Sequence, residues 1–152
     1  PQWNPDIRAS FYGITRDTSK KDFITAAFNS LCYQTNEILG AMKAEGLEVK
    51  EMSIDGGMAK NMTFAQLLAN ITNTNISIPT NTEATALGAA KVAAIGCGLV
   101  KSIESFENIG SSQKIISKEF SSHKINYMMW KEYLDTMLTL STKLKNIMNN
   151  KD

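Results

Sequence analysis

Residues that usually carry chemistry are scarce in this sequence. There is one histidine, His123, and there are two cysteines, Cys32 and Cys97. The cysteines stand far apart with no C-x-x-C pair, so neither a disulfide framework nor a thiol-based zinc or redox motif is written here. Both read as small buried apolar side chains of a protein in a reducing, cytoplasmic compartment. His123 falls at an expected helix start, where it reads as a surface or capping residue rather than a base. Neither a Walker-type phosphate loop nor a G-x-G-x-x-G fingerprint is present. No apolar run reaches the roughly 18 residues of a membrane span. No leader is visible, and the opening Pro1-Gln2-Trp3-Asn4-Pro5 has neither an initiator Met nor N-terminal character, as expected of a fragment. Charge of one sign is lacking too. The 16 Lys and Arg nearly cancel the 15 Asp and Glu, leaving a net charge of +1, so nothing argues for nucleic acid or an anionic membrane as partner. The basic tail from Lys143 to Lys151 reads as a solvated end.

What remains is an ordinary globular composition, 43% hydrophobic and 20% charged over 152 residues. That length suits one domain able to bury about 70% of its unfolded surface.

Ala9 to Tyr12 reads as a short strand after an irregular start. Thr18 or Ser19 is a suitable N-cap for a helix over Lys20–Glu45. Phe23, Ala27 and Leu31 repeat at i+4 along it, and Ile24, Phe28, Ile38 and Met42 widen the stripe. Gly46 suits its C-terminal turn. Val49–Ile54 reads as a strand, and Phe64, Leu67, Leu68 and Ile71 have the spacing of an amphipathic helix. Asn75–Ile78 is a second strand pattern, closed by Pro79. Thr82–Ile95 is an alanine-crowded helix, able to lie close to a neighbour and ended by Gly96 and Gly98. Lys114–Phe120 has strand character. A last helix runs from Ser122 to Met148, with Trp130, Leu134, Met137, Leu138 and Leu144 on its apolar side. Strands alternating with helices predict an α/β domain, a mixed sheet with helices packed on it.

The sharpest local feature is Ile54-Asp55-Gly56-Gly57-Met58-Ala59-Lys60-Asn61. Glycines between a strand and a helix permit positive φ and let another molecule approach the backbone. The helix start beyond them presents unpaired N–H groups and partial positive charge. Such a corner suits an adenine ring on the glycine backbone or a phosphate at the helix end. Asn61, at that helix start, has an amide that both donates and accepts. A plain strand-to-helix turn is the alternative. A β-hairpin is disfavoured, because the residues that follow have a helical period.

Several segments, in order, resemble the FGGY carbohydrate kinases, a family that includes the glycerol kinases and is built on the actin-like (ribonuclease H-like) ATPase fold. Pro1-Gln2-Trp3-Asn4-Pro5-Asp6-Ile7-Arg8 is similar to their P-x-W-(D/N)-x-x-x-R segment, and Phe11-Tyr12-Gly13-Ile14-Thr15-Arg16 to F-x-G-L-T-R. Tyr33-Gln34-Thr35 fits Y-Q-T, Asp55-Gly56-Gly57-Met58 the D-G-G-(A/M) adenosine motif, and Thr85-Ala86-Leu87-Gly88-Ala89-Ala90 the T-A-L-G-A-A element. Trp130-Lys131 resembles the W-K of the closing helix. The resemblance implies that residues 1–152 are the C-terminal nucleotide-binding domain of such a kinase, without its N-terminal substrate domain. The whole protein would transfer the γ-phosphate of ATP to glycerol, giving glycerol 3-phosphate and ADP. Gly57 and Asn61 match positions that contact the nucleotide, with Gly56 as backbone support. Thr85 to Ala90 read as a packing helix. The resemblance puts the glycerol pocket, the phosphate loops, the Mg site and the catalytic aspartate in the N-terminal half. No catalytic or metal residue is therefore expected here, Asp55 included, and the chain alone is expected to be inactive. It also implies a homo-oligomer at full length. Asn29 and Asn70 stand where the family has an acid or Gln and an Asp, and Thr72-Asn73-Thr74-Asn75 is unusually polar. Two other readings stay open: another FGGY sugar or polyol kinase, and a non-catalytic actin-like binding module.

Overall fold

Ser19 opens the first helix. Its N–H and its hydroxyl both donate to the Asp22 carboxylate, at 2.8 and 2.7 Å, a reciprocal cap that holds the Asp22 carboxyl below its usual range. Helix α1 (Lys20–Ala44) follows. It ends in a Schellman turn: Gly46 has φ 87°, its N–H donates to the Lys43 carbonyl, and the Leu47 N–H donates to the Met42 carbonyl. The computed structural model describes residues 4–5, 7–80, 83–106, 112–118 and 121–149. Its backbone forms two compact units, Pro1–Glu48 with Glu119–Asp152, and Val49–Lys118.

In the first unit, α1 meets a long helix, which in the order of the chain is α4 (Ser121–Asn149). The contact is aromatic. Tyr33 is buried, with its ring 5.6 Å from Tyr127 and 5.4 Å from Trp130. One turn on, Glu37 accepts a hydrogen bond from the Tyr127 hydroxyl and pairs with Lys131 at 3.3 Å. Burial first, then the Glu37 hydrogen bond and charge, push the Tyr127 phenol up to about 12. Cys32 is fully buried and its thiol is pushed up to about 12 by that burial. The buried face of α1 is thus Cys32 and Tyr33, not the expected stripe, of which Ile24, Leu31 and Ile38 are exposed. The expected strand at Ala9–Tyr12 is absent: these residues are irregular and exposed. Aromatic contacts hold them instead. Phe11 sits edge-on to Phe23 at 4.9 Å, Tyr12 stacks on Tyr133 at 5.2 Å, and the Tyr133 hydroxyl donates to Ser10. A largely apolar cavity of about 820 Å³ lies in this unit, with Tyr12, Trp130 and Tyr133 in its wall.

The second unit is a three-stranded sheet in the order β1 (Glu51–Ser53), β2 (Asn75–Pro79), β3 (Ser112–Ile115). Strand β2 runs parallel to β1, with Glu51 opposite Asn75, and antiparallel to β3, with Pro79 opposite Ser112. Parallel neighbours need a crossover, and helix α2 (Met62–Thr72) supplies it. Phe64, Ala65, Leu68 and Ala69 turn one face of α2 onto the sheet, where Ile76, Ile78 and Ile115 complete the core. The mixed α/β architecture read from the sequence is the one observed. Asn73, at φ 49°, ends α2 in the left-handed conformation that Asn tolerates.

Three asparagines from the last turn of α2 to the start of β2 tie down the chain beyond β3. Asn70 Oδ1 accepts from the Lys118 N–H at 2.9 Å, Asn73 Oδ1 from the Ser117 hydroxyl, and Asn75 Oδ1 from the Ser117 N–H. The Asn75 N–H donates to the Lys50 carbonyl on the other side. Helix α3 (Ala84–Gly96) closes with a second Schellman turn at Gly98, φ 72°. None of its residues is buried. Cys97, expected inside, is exposed, because it caps this uncovered helix. Parts of four expected features, at Pro1-Gln2-Trp3 and Asp6, Thr82, Phe120 and the last tail residues, lie outside the described residues.

Candidate nucleotide site

The site begins where β1 ends. Gly56 adopts φ 79° and ψ −174°, a region open essentially to glycine alone. A 3-10 turn over Gly57–Lys60 follows, in which the Ala59 N–H donates to the Gly56 carbonyl and the Asn61 N–H to that of Met58. The α-helix therefore starts at Met62 rather than directly after the glycines, and Asn61 is its N-cap: Oδ1 accepts the Phe64 N–H at 3.1 Å. Parallel pairing of β1 with β2 rules out a hairpin at Asp55-Gly56.

The two glycines differ. The positive φ belongs to Gly56, whereas Gly57 lies outside the left-handed region, and a Cβ added to either meets nothing within 4 Å. The face over Gly57 is therefore open, as close approach by a ligand requires. Asp55 is exposed and lies outside every element.

Gly56, Gly57 and Asn61 line the start of the corner, and beside them opens a cavity of about 530 Å³. Its wall includes Ala59, Lys60 and Met62 from the corner, Thr80 just past β2, and Ser112 and Gln113 at the facing end of β3. It lies beyond the carboxyl ends of the parallel strands, where ligands of open α/β sheets bind. The three sequence-derived residues are not in that wall; their neighbours are. Sequence reasoning missed Lys60, Thr80, Ser112 and Gln113. For Lys60 and Thr80 the signal was position, since each follows the carboxyl end of a strand. For Ser112 and Gln113 only the β2–β3 register brings them in.

The two asparagines that depart from the family pattern fare differently. Asn70 also accepts from Gln66 at 3.0 Å, so its carbonyl does what a carboxylate oxygen there would do. Asn29 Oδ1 is buried without a hydrogen-bond partner. Thr85 to Ala90 lie on α3, and none of them is buried. Those residues form no His, Cys, Asp or Glu group able to hold a metal, and no helix among them is long and apolar enough to cross a membrane.

The comparisons with known proteins converge. Residues 1–97 match the C-terminal domain of the FGGY family of carbohydrate kinases. A glycerol kinase from a Marinomonas species is 35% identical over 141 residues, which is 91% of this chain and 28% of that protein. Glycerol kinase 1 of Pseudomonas aeruginosa is 34% identical over 123 residues, 81% of this chain and 24% of that protein. The chain thus spans about a quarter of the curated relatives it matches. Among solved structures, Plasmodium falciparum glycerol kinase with ADP is similar at a TM-score of 0.72 and 30% identity, covering 91% of this chain and 28% of that one. A xylulose kinase from Rhodospirillum rubrum shares the fold at a TM-score of 0.67 and 16% identity, over 88% and 28% of the two chains. An ordered set of motifs, a mixed sheet with its glycine corner and a matching domain model lead to one assignment: this chain belongs to the FGGY family of carbohydrate kinases and corresponds to its C-terminal domain, with the family's actin-like α/β fold.

Proposed function

We propose that this chain is the nucleotide-holding portion of a glycerol kinase. Adenine nucleotide lies on the corner formed by Gly56, Gly57 and Asn61, beside the cavity that contains Lys60 and Thr80. One observation carries the reading: the open backbone face at Gly57, beyond the end of a parallel strand, in a chain 30% identical to a glycerol kinase solved with ADP. The whole protein moves the γ-phosphate of ATP to glycerol. Phosphoryl transfer rests on positioning and on Mg²⁺ neutralising charge. Glycerol, the metal and the catalytic base are held by an N-terminal half, and this chain positions the nucleotide. The full-length protein works in the cytoplasm as a homo-oligomer.

Calorimetric titration of ADP into the 152-residue chain tests the reading. Binding that is weakened by Gly57→Val in a chain that melts like the parent supports it. Equal affinity of parent and folded variant places the nucleotide elsewhere. A coupled ADP-release assay tests the division of labour: no glycerol-dependent turnover is expected from this chain alone, and turnover overturns it.

A further inference from the structure

We propose that two copies of this chain associate through the outer stripe of α4, the helices antiparallel, in a closed dimer. The inference is independent of the nucleotide reading, and it gives the association proposed above a surface.

Helix α4 carries apolar residues at alternating spacings of three and four: Trp130, Tyr133, Met137, Leu140, Leu144 and Ile147. That is the heptad spacing of a helix with a helical partner. Helix α1 does not fill that place. It meets α4 through Tyr127, Trp130 and Lys131, on a face roughly a quarter of a turn away from the stripe. The stripe itself is covered unevenly. Trp130, Tyr133 and Met137 are half-buried and stand in the wall of the cavity of about 820 Å³. Leu140, Leu144 and Ile147 are 42%, 50% and 59% exposed. One half of the stripe thus borders an unfilled space and the other half lacks cover, so each supplies what the other needs. In an antiparallel pair the first heptad position of one helix faces the fourth of the other. Met137 then lies opposite the partner's Leu140, Tyr133 opposite the partner's Leu144, and Trp130 opposite the partner's Ile147. The exposed end of each stripe enters the cavity of the other copy.

Charge agrees with this register. Glu132 and Lys143 stand on one flank of the stripe, both exposed and without an ion pair among the described residues. Antiparallel pairing brings Glu132 beside the partner's Lys143, and the twofold axis makes this contact twice. Because the interface is isologous, association stops at two copies.

Sedimentation of the 152-residue chain over a concentration series tests the proposal, with thermal melts as the folding control. The parent should form a dimer and nothing larger. Leu144→Glu, at an exposed position, should melt with the parent and weaken the dimer about 100-fold or more, because it acts in both copies. Glu132→Lys and Lys143→Glu should each weaken it about 5- to 30-fold, two pairs being lost at once. Glu132→Lys combined with Lys143→Glu should recover the parent's dimer. Val92→Glu, at an exposed site of the second unit, should change nothing. A parent that stays monomeric overturns the proposal and leaves the stripe to an N-terminal half. A dimer indifferent to Leu144→Glu, or growth beyond two copies, overturns it as well. So do single charge reversals without effect, or a double reversal that does not recover the dimer. None of these outcomes bears on nucleotide binding.

Discussion

Helices α2 and α3 belong to the same unit and are both rich in apolar residues, yet they end in opposite environments. Helix α2 places Phe64 and Leu68 on one face, separates them with Ala65 and Ala69, and buries all four against the sheet. Helix α3 spreads its large side chains, leaving Leu87 and Val92 exposed and burying nothing. A segregated face marks a helix that has found its neighbour, whereas alanines all round mark one that tolerates a close neighbour on any side. The difference teaches that composition reports what a helix permits, and that only packing reports what covers it.

The contrast breaks most visibly in thiol chemistry. Cys97, exposed at the end of α3, should be alkylated by iodoacetamide in the native chain, while Cys32, fully buried, should react only after denaturant unfolds it. Peptide mapping by mass spectrometry reads both. Native protection of Cys97 would mean that the end of α3 is covered in solution.

Stability follows. Leu68, 4% exposed, should lose about 2–5 kcal/mol on substitution by Ala, whereas Val92→Ala at 64% exposure should change stability by about 0.5 kcal/mol or less. Denaturant midpoints measure both, and equal losses would erase the distinction between the helices.

A smaller contrast lies inside the corner that feeds α2. Gly56→Ala should cost about 1–3 kcal/mol, because its backbone occupies a glycine-only region. Gly57→Ala has ordinary φ and open space, so its melting curve should stay near the parent's. A larger loss at Gly57 would reverse the assignment of strain.

The mildest effect belongs to the contact between α1 and α4. The Tyr127 phenol is raised to about 12 in the folded chain against about 10 in an unfolded one. Between these values the folded state holds more protons than the unfolded state, so stability falls as pH rises. The contribution is complete below pH about 10 and is lost as pH approaches 12. Melting temperatures of the parent and of Tyr127→Phe across this window should converge with rising pH; parallel curves would show that the phenol contributes nothing.

Much of the fold was legible in the sequence. The i+4 spacing around Phe64 and Leu68 gave α2, Ser19 and Gly46 marked the ends of α1, and the change of period at Gly56-Gly57 located the corner. Short patterns succeeded where a strand partner stands among the described residues, as for Asn75–Ile78 between two neighbours, and failed where none of those residues pairs, as for Ala9–Tyr12. The α1 stripe misled for a related reason: spacing reveals a face, but the face buried here is the one against Tyr127 and Trp130. At the corner, Gly56, Gly57 and Asn61 could be picked out because they are contiguous. Ser112 and Gln113 could not, since the register of an antiparallel pair more than thirty residues apart decides their place. That the polar run Asn70, Asn73 and Asn75 is a tether was equally hidden, because its partners, Ser117 and Lys118, fall in the stretch read as strand over Lys114–Phe120, whereas β3 ends at Ile115 and leaves them to the asparagines.

Asn75 grips the second unit at both its doors. Its N–H holds Lys50, where the chain enters, and its Oδ1 holds Ser117, where the chain leaves. Entry and exit are therefore adjacent in space, the condition under which a segment can be excised, transplanted into a foreign loop or circularly permuted without stretching its host. Val49–Lys118 is in this sense a cassette, whose junctions are both tied to one residue, Asn75, through its backbone and its side chain.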